Sequence, residues 1–158
     1  MNDTRFSSAI HMLVMVSESS EPLPSERIAQ SIGTNATYVR KLAGSLRRAG
    51  IVESRRGASG FKLLRDPSKL TLLEIYQAVC ESDTVEVFEL HRNPNDECIV
   101  GRHIRPVLGD MFAGIFEATA QALGSRTLAD CISSLGREIE RAGDAAELEA
   151  LGSSLARS

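Results

Sequence analysis

Apolar positions recur at helical spacing from the start of the chain. Phe6, Ala9, Ile10, Leu13 and Val14 share one face and predict an amphipathic helix from Thr4 to about Ser17. "SSEPLP", with two prolines, ends that pattern. Ser25 stands where an N-cap is expected, ahead of Ile28, Ala29 and Ile32, and Gly33 supplies the stop. Asn35 is placed to cap the next helix, which carries Val39, Leu42, Ala43 and Leu46 on one face and closes at Gly50. The pattern then changes. "IVESRRGASGFKLL" reads as two strand arms, Ile51–Ser54 and Phe61–Leu64, around a turn made possible by Gly57 and Gly60.

After Asp66-Pro67, Leu70, Leu73, Ile75, Tyr76 and Val79 predict a helix with Thr71 as its cap and Glu74 in its first turn. "HRNPNDE" is a loop by composition. The longest periodic segment runs from about Cys98 to Leu123. One stripe is Ile104, Leu108, Met111, Ile115 and Ala122, and a second beside it is Val107, Phe112, Phe116 and Leu123. Pro106 falls near its start and leaves the first turn open. Thr127 opens a short helix, "LADCISSL", and "DAAELEALGSSLA" reads as a frayed tail. The expected architecture is mainly α with a small β-hairpin. Residues 1–66 form a first unit, 67–137 a second of helices and a loop, and 138–158 a tail.

The two short helices around Gly33 have the spacing of a helix-turn-helix. Ala29 is small where the helices approach, Gly33 can adopt the left-handed turn, and Val39 docks the second helix. With Val39 inward, Thr37, Lys41 and Arg48 point outward, flanked by Arg40 and Tyr38. Residues in the first turns of such a helix reach base edges, whereas Arg47 and Arg48, further along, suit phosphates. Tyr38 either reads a groove or packs its ring on the first helix. A hairpin directly after a recognition helix is a wing. Arg55 and Arg56 supply its charge, and Gly57, Ala58, Ser59 and Gly60 let it come close to a backbone. A nucleotide-binding P-loop is excluded, because the glycines are three apart and a strand follows them.

Charge sharpens this reading. The chain of 158 residues is net −3, yet Arg27 to Arg65 holds nine basic residues against one acid, Glu53. From Pro67 onward, eight basic residues face fifteen acids. A basic segment of this kind in an acidic chain favours a polyanionic partner. At 42% apolar the chain can bury one ordinary core, and "MLVMV" is far too short to span a bilayer, so with Met1 as the natural start a soluble cytoplasmic protein is expected. Three cysteines without a CxxC pair read neither as a disulfide framework nor as a zinc knuckle.

With helix, helix-turn-helix, wing, "RRGASGFKLLRDP" and "LTLLEIYQAV" in this order, the chain resembles the Rrf-two (Rrf2) family of bacterial winged-helix transcription regulators, from Arg5 to about Cys131. Its most specific part is the wing: Arg56-Gly57, Gly60, Phe61, Leu63, Arg65 and Pro67. "NPNDECIVGRHI" and "TLADC" also look like the family, while Ser59 departs from a glycine common there. The resemblance implies a homodimeric repressor or activator whose long helix pairs with its twin. The doubly striped helix supports this independently, since one small domain cannot cover both stripes and two recognition helices suit a palindromic operator. A monomer covered by its first and last helices is the alternative.

Cluster-binding members of the family carry three close cysteines before the long helix, and this chain has only Cys98 there, so no iron–sulfur cluster or other cofactor is expected. His91, Cys98 and His103 match no tight metal site. Cys98 near a helix N-terminus is the candidate redox thiol, although Asp96 and Glu97 precede it. Cys80 and Cys131 read as small buried hydrophobes. A small-molecule effector is the other candidate signal.

The function expected is sequence-specific binding of double-stranded DNA, read as that of a repressor. Thr37, Tyr38, Arg40, Lys41 and Arg48 lie on the recognition helix, and Arg55, Arg56 and Gly57 on the wing. The alternative is a winged helix that binds protein and not DNA. No arrangement of His11, His91, Cys98 and His103 offers an orienting third group, so no enzyme is expected.

Overall fold

The computed structural model describes residues 3–54, 60–147 and 149–150. Among them lie six helices, α1 (Arg5–Glu18), α2 (Ser25–Ile32), α3 (Ala36–Arg48), α4 (Leu72–Cys80), α5 (Ile99–Gly124) and α6 (Leu128–Ala142), and two strands, β1 (Val52–Ser54) and β2 (Phe61–Leu63). None of the helices is long and apolar enough to cross a membrane.

α1 is the central post. It buries Ala9, Met12, Leu13 and Val16, a three-and-four spacing, and packs against α2, α3, α4 and α6. Ile28, Val39, Leu46, Ile51 and Val52 close the core on one side. On the other, Leu70, Ile75, Val79 and Leu128 belong to the same cluster. Burying each of these aliphatic side chains contributes about 1.5–3 kcal/mol. The packing therefore runs without a break past residue 66, since the start of α6 and all of α4 finish the core of the first unit.

Local chemistry sets the helix ends. Asn35 Oδ1 accepts from the Tyr38 N–H at 2.9 Å, as its position predicts. Gly33, at φ 79°, turns the chain between α2 and α3. Ser25 differs from expectation: Pro24 holds the N-cap position and Ser25 is the first helical residue, with its hydroxyl turned into the structure. α4 and α6 start with capping boxes, Thr71 with Glu74 and Thr127 with Asp130. These two starts are fastened together, with the Leu72 N–H donating to the Arg126 carbonyl at 2.9 Å and the Leu128 N–H to the Leu70 carbonyl at 2.9 Å. Leu70 thus precedes its helix. α6 also outruns the short helix expected, ending at Ala142 where Gly143 takes φ 81°, so the 137/138 boundary falls inside it.

The hairpin is antiparallel, pairing Val52 with Leu63, Glu53 with Lys62 and Ser54 with Phe61. Each arm is one residue shorter at its outer end than the alternation predicts. A further rung, absent from the sequence reading, joins Leu23 to Phe61 through two backbone hydrogen bonds of 2.9 and 3.2 Å. Gly60 makes this rung possible. Its φ is 142°, and a Cβ there would stand 2.7 Å from the Pro22 carbonyl carbon.

α5 runs unbroken from Ile99 to Gly124 with Pro106 inside it, and none of its residues is buried. Phe112 and Phe116 receive Phe88 from the α4–α5 connection, at centroid distances of 5.5 and 6.2 Å. Val107 (53% exposed), Met111 (60%) and Ile115 (44%) have no cover among the described residues.

Candidate nucleic-acid interface

The recognition helix is anchored by Val39, Leu42, Ala43 and Leu46, all buried, and this fixes its outward face. Thr37 and Lys41 are exposed on that face, one turn apart, as expected. Arg40 is more constrained than the sequence suggests. Its NH1 donates to Ser25 Oγ at 2.9 Å and to Glu26 Oε1 at 3.1 Å, clamping α3 to the start of α2. A guanidinium has five donors, so Nε and NH2 of Arg40 can still meet a phosphate from a fixed position. The Arg40 bond and its own backbone N–H hold the Glu26 carboxyl below the ordinary range, the backbone bond having the larger effect.

Two expected contacts are used within the chain. Tyr38 is half-buried against the core, and its hydroxyl is buried without a hydrogen-bond partner. The packing alternative for this ring is the one the structure adopts. Arg48 donates to Glu81, the C-cap residue just after α4, and to Ser45 at 3.0 Å. Glu81 takes the left-handed conformation at φ 53°, rare for a residue with a side chain, and its N–H donates to the Gln77 carbonyl. Arg48 thus ties the recognition helix to α4, which competes with a phosphate contact. Arg65 is spent likewise, donating to Glu74 at 3.0 Å beside the α4 capping box.

A groove between α3 and the hairpin went unseen in the sequence. It measures about 270 Å³ and is lined by Arg40, Ala43, Gly44, Arg47, Ser54 and Phe61. Arg47 is exposed there, and the absence of a side chain at Gly44 keeps the floor low. The groove has the shape and charge to take a nucleic-acid backbone running from α3 to the wing. Arg55, Arg56 and Gly57, assigned to the wing tip, lie outside the described residues.

The thiols are separate. Cys98 is exposed at the N-cap position of α5, and the N–H groups of Gly101 and Val100 hold its pKa below the ordinary thiol range. Cys80 is half-buried at the end of α4, where burial pushes its pKa up. Cys131 lies on α6. Among the described residues no group of three or more His, Cys, Asp or Glu side chains is placed to hold a metal ion. The loop before α5 is closed by other bonds: Glu97 N–H to Asn95 Oδ1 at 2.9 Å, Arg102 Nε to the Asp96 carbonyl at 3.0 Å, and Arg105 NH1 to the Arg92 carbonyl at 2.9 Å. Gly101 lets this loop lie flat, since a Cβ there would stand 2.2 Å from the Asn95 carbonyl oxygen.

The chain is 38% identical over 135 residues to YwnA, named as an HTH-type transcriptional regulator of Bacillus subtilis (strain 168); the match covers 85% of this chain and 99% of YwnA. A crystal structure described as that of a DNA-binding protein superposes with a TM-score of 0.66 at 35% identity, over 81% of this chain and 98% of the other. CymR, the global cysteine regulator of B. subtilis, shares the fold with a TM-score of 0.63 at 22% identity, over 84% of this chain and 96% of CymR. The Rrf2 family model, described as that of an iron-dependent transcriptional regulator, matches residues 2–134. The residues matched by the family model include α1 to α5, and the chain belongs to the Rrf2 family of winged helix-turn-helix transcriptional regulators.

Proposed function

We propose that the chain acts as a homodimeric repressor that binds a palindromic stretch of double-stranded DNA. Thr37 and Lys41 approach base edges, Arg40 and Arg47 hold the backbone, and Arg55 and Arg56 fix the wing. The observation that carries this reading is the helix with Thr37 and Lys41 exposed on one face and Val39, Leu42 and Leu46 wholly buried on the other. The groove beside it continues the basic surface toward the hairpin. A second copy is the occupant proposed for the exposed stripe of α5. This stripe is apolar, lies on a rigid helix and has no cover within the described residues. Cys98, exposed and biased toward thiolate, is the proposed redox-responsive group. No iron centre and no catalytic step enter the reading.

Selection of bound sequences from a random pool, with reduced and with oxidised protein, tests it. The expected result is two inverted half-sites separated by a helical turn or a multiple of one, with affinity that falls steeply as salt rises. A single half-site would remove the dimer, and binding indifferent to salt would remove the DNA interface. Met111→Asp is expected to give a monomer by light scattering. The repressor assignment rests on the resemblance, and a promoter–reporter strain lacking the protein should show raised output.

A further inference from the structure

A cleft of about 710 Å³ opens between the start of α1, the last turn of α4 and the extended run from Ser82 to Glu89 that leads toward α5. This is within the size range of sites for small organic ligands. Phe6 and Tyr76 form one wall as an edge-to-face pair at 5.4 Å. Phe88 contributes another, held in place by Phe112 and Phe116.

The charges decide what such a cleft accepts. Among the described residues Arg5 is the only basic one lining it, and its guanidinium is engaged by Asp3. Nε donates to both Asp3 carboxylate oxygens at 3.0 and 2.9 Å, NH2 to Asp3 Oδ2 at 2.5 Å, and NH1 to the Val79 carbonyl at 3.3 Å. The Asp3 carboxylate neutralises the Arg5 charge, so an anion gains little attraction from it. Glu86 and Glu89 also line the cleft, and neither forms an ion pair with a base among the described residues; Glu86 only accepts from Thr84 Oγ1 at 3.5 Å. Burial keeps both the Tyr76 phenol and the Cys80 thiol protonated at neutral pH, so neither adds charge to the inner wall. Aromatic faces with carboxylates at the rim attract a cation that carries apolar groups.

We propose that the cleft between α1, α4 and the α4–α5 connection is a binding site for a lipophilic organic cation, a hydrophobic amine or quaternary onium ion. The cation sits over the Phe6, Tyr76 and Phe88 rings, and Glu86 and Glu89 balance its charge. This site also reaches both working parts of the molecule. Cys80 ends α4, and the next residue, Glu81, holds Arg48 and Ser45 of the recognition helix. Phe88 rests on α5. A ligand that shifts the connection therefore biases both helices, and this regulatory consequence rests on the DNA-binding function proposed above.

Titration calorimetry of the full chain without DNA tests the site, using tetraphenylphosphonium and its anionic counterpart tetraphenylborate. The phosphonium is expected to bind about tenfold or more tightly than the borate, and Glu86→Gln/Glu89→Gln to erase most of that preference. In a Cys98→Ser/Cys131→Ser background, bound phosphonium should slow maleimide labelling of Cys80. Equal or tighter binding of the borate, no effect of the double substitution, or unprotected Cys80 would each overturn the proposal. DNA titration with saturating phosphonium then reads the coupling. Unchanged DNA affinity would overturn the coupling, whereas failure to bind DNA even without ligand would count against the proposed function and leave the cation site standing.

Discussion

Replacing Gly60 with alanine probes the root of the wing without touching any charged residue. Two costs follow from the structure. A φ of 142° lies where side chains are essentially excluded, which costs about 1–3 kcal/mol. The new Cβ would also lie 2.7 Å from the Pro22 carbonyl carbon and 2.8 Å from the Leu23 carbonyl carbon and oxygen, and these are backbone atoms that cannot swing aside. Relief requires the Leu23–Phe61 rung to open, losing two hydrogen bonds of about 0.5–1.5 kcal/mol each. The sum is roughly 2–6 kcal/mol, which for a chain of this size lowers the melting temperature by about 10 °C. Gly44→Ala is the control. Its Cβ would meet only the Arg48 guanidinium at 3.6 Å, and within a helix the change should stabilise by about 0.5–1 kcal/mol. Thermal unfolding by circular dichroism, at one protein concentration to hold any association constant, reads both. A Gly60→Ala melting point within a degree of wild type would refute the rung and the close approach behind it.

Thr71→Ala and Thr127→Ala should each cost about 1 kcal/mol in denaturant unfolding. Because the two caps are bonded side by side, their double mutant should depart from additivity. Glu74 adds a pH dependence: the Thr71 backbone bond, with Arg65 assisting, holds its carboxyl below the ordinary range. A depressed folded value stabilises above the unfolded carboxylate pKa and is lost as pH falls through the folded one. The stability gap between wild type and Glu74→Gln should thus be widest at neutral pH and shrink in acid below about pH 4. Arg47→Ala should weaken binding to all duplexes and flatten the salt dependence, while Thr37→Ala shifts sequence preference, both by fluorescence anisotropy. Arg40→Ala should lower DNA affinity and melting temperature together, because it also frees Ser25 and Glu26. Iodoacetamide should modify Cys98 well before Cys80, which mass spectrometry of partly labelled protein would show.

Features written in neighbouring residues were legible from the sequence. Asn35, Gly33 and Thr71 cap or stop the helices they were assigned to, and the hairpin register follows its alternation. The long helix and its uncovered stripe were also visible, since periodicity over many turns has few competing explanations. The reading failed where the partner is remote in sequence. Nothing near Arg48 announces Glu81, thirty-three positions away, and nothing near Arg40 announces Ser25, fifteen away. Ser25 itself was misplaced because a serine one residue inside a helix looks like a serine at its cap when a proline precedes it. The rung at Leu23 was hidden by the same prolines, which signal a break but not the single pairing between them. α6 extends beyond the expected helix: "REIERA" offers one large apolar residue, Ile139, and its continuation rests on helix propensity and on the Arg141–Glu138 pair. The groove and the cleft are properties of assembled elements, and no local pattern encodes them.

The chain has no tryptophan and two tyrosines, and the fold has distributed them usefully. Tyr38 is wedged beneath the recognition helix with its hydroxyl sealed off, while Tyr76 stands in the cleft wall. The tyrosine band of the near-ultraviolet spectrum is therefore a sum of two signals, one from each ring. With Tyr76→Phe and Tyr38→Phe each silencing one of them, the protein carries its own pair of optical probes: DNA engagement should register at the first ring and occupancy of the cleft at the second, without any attached dye.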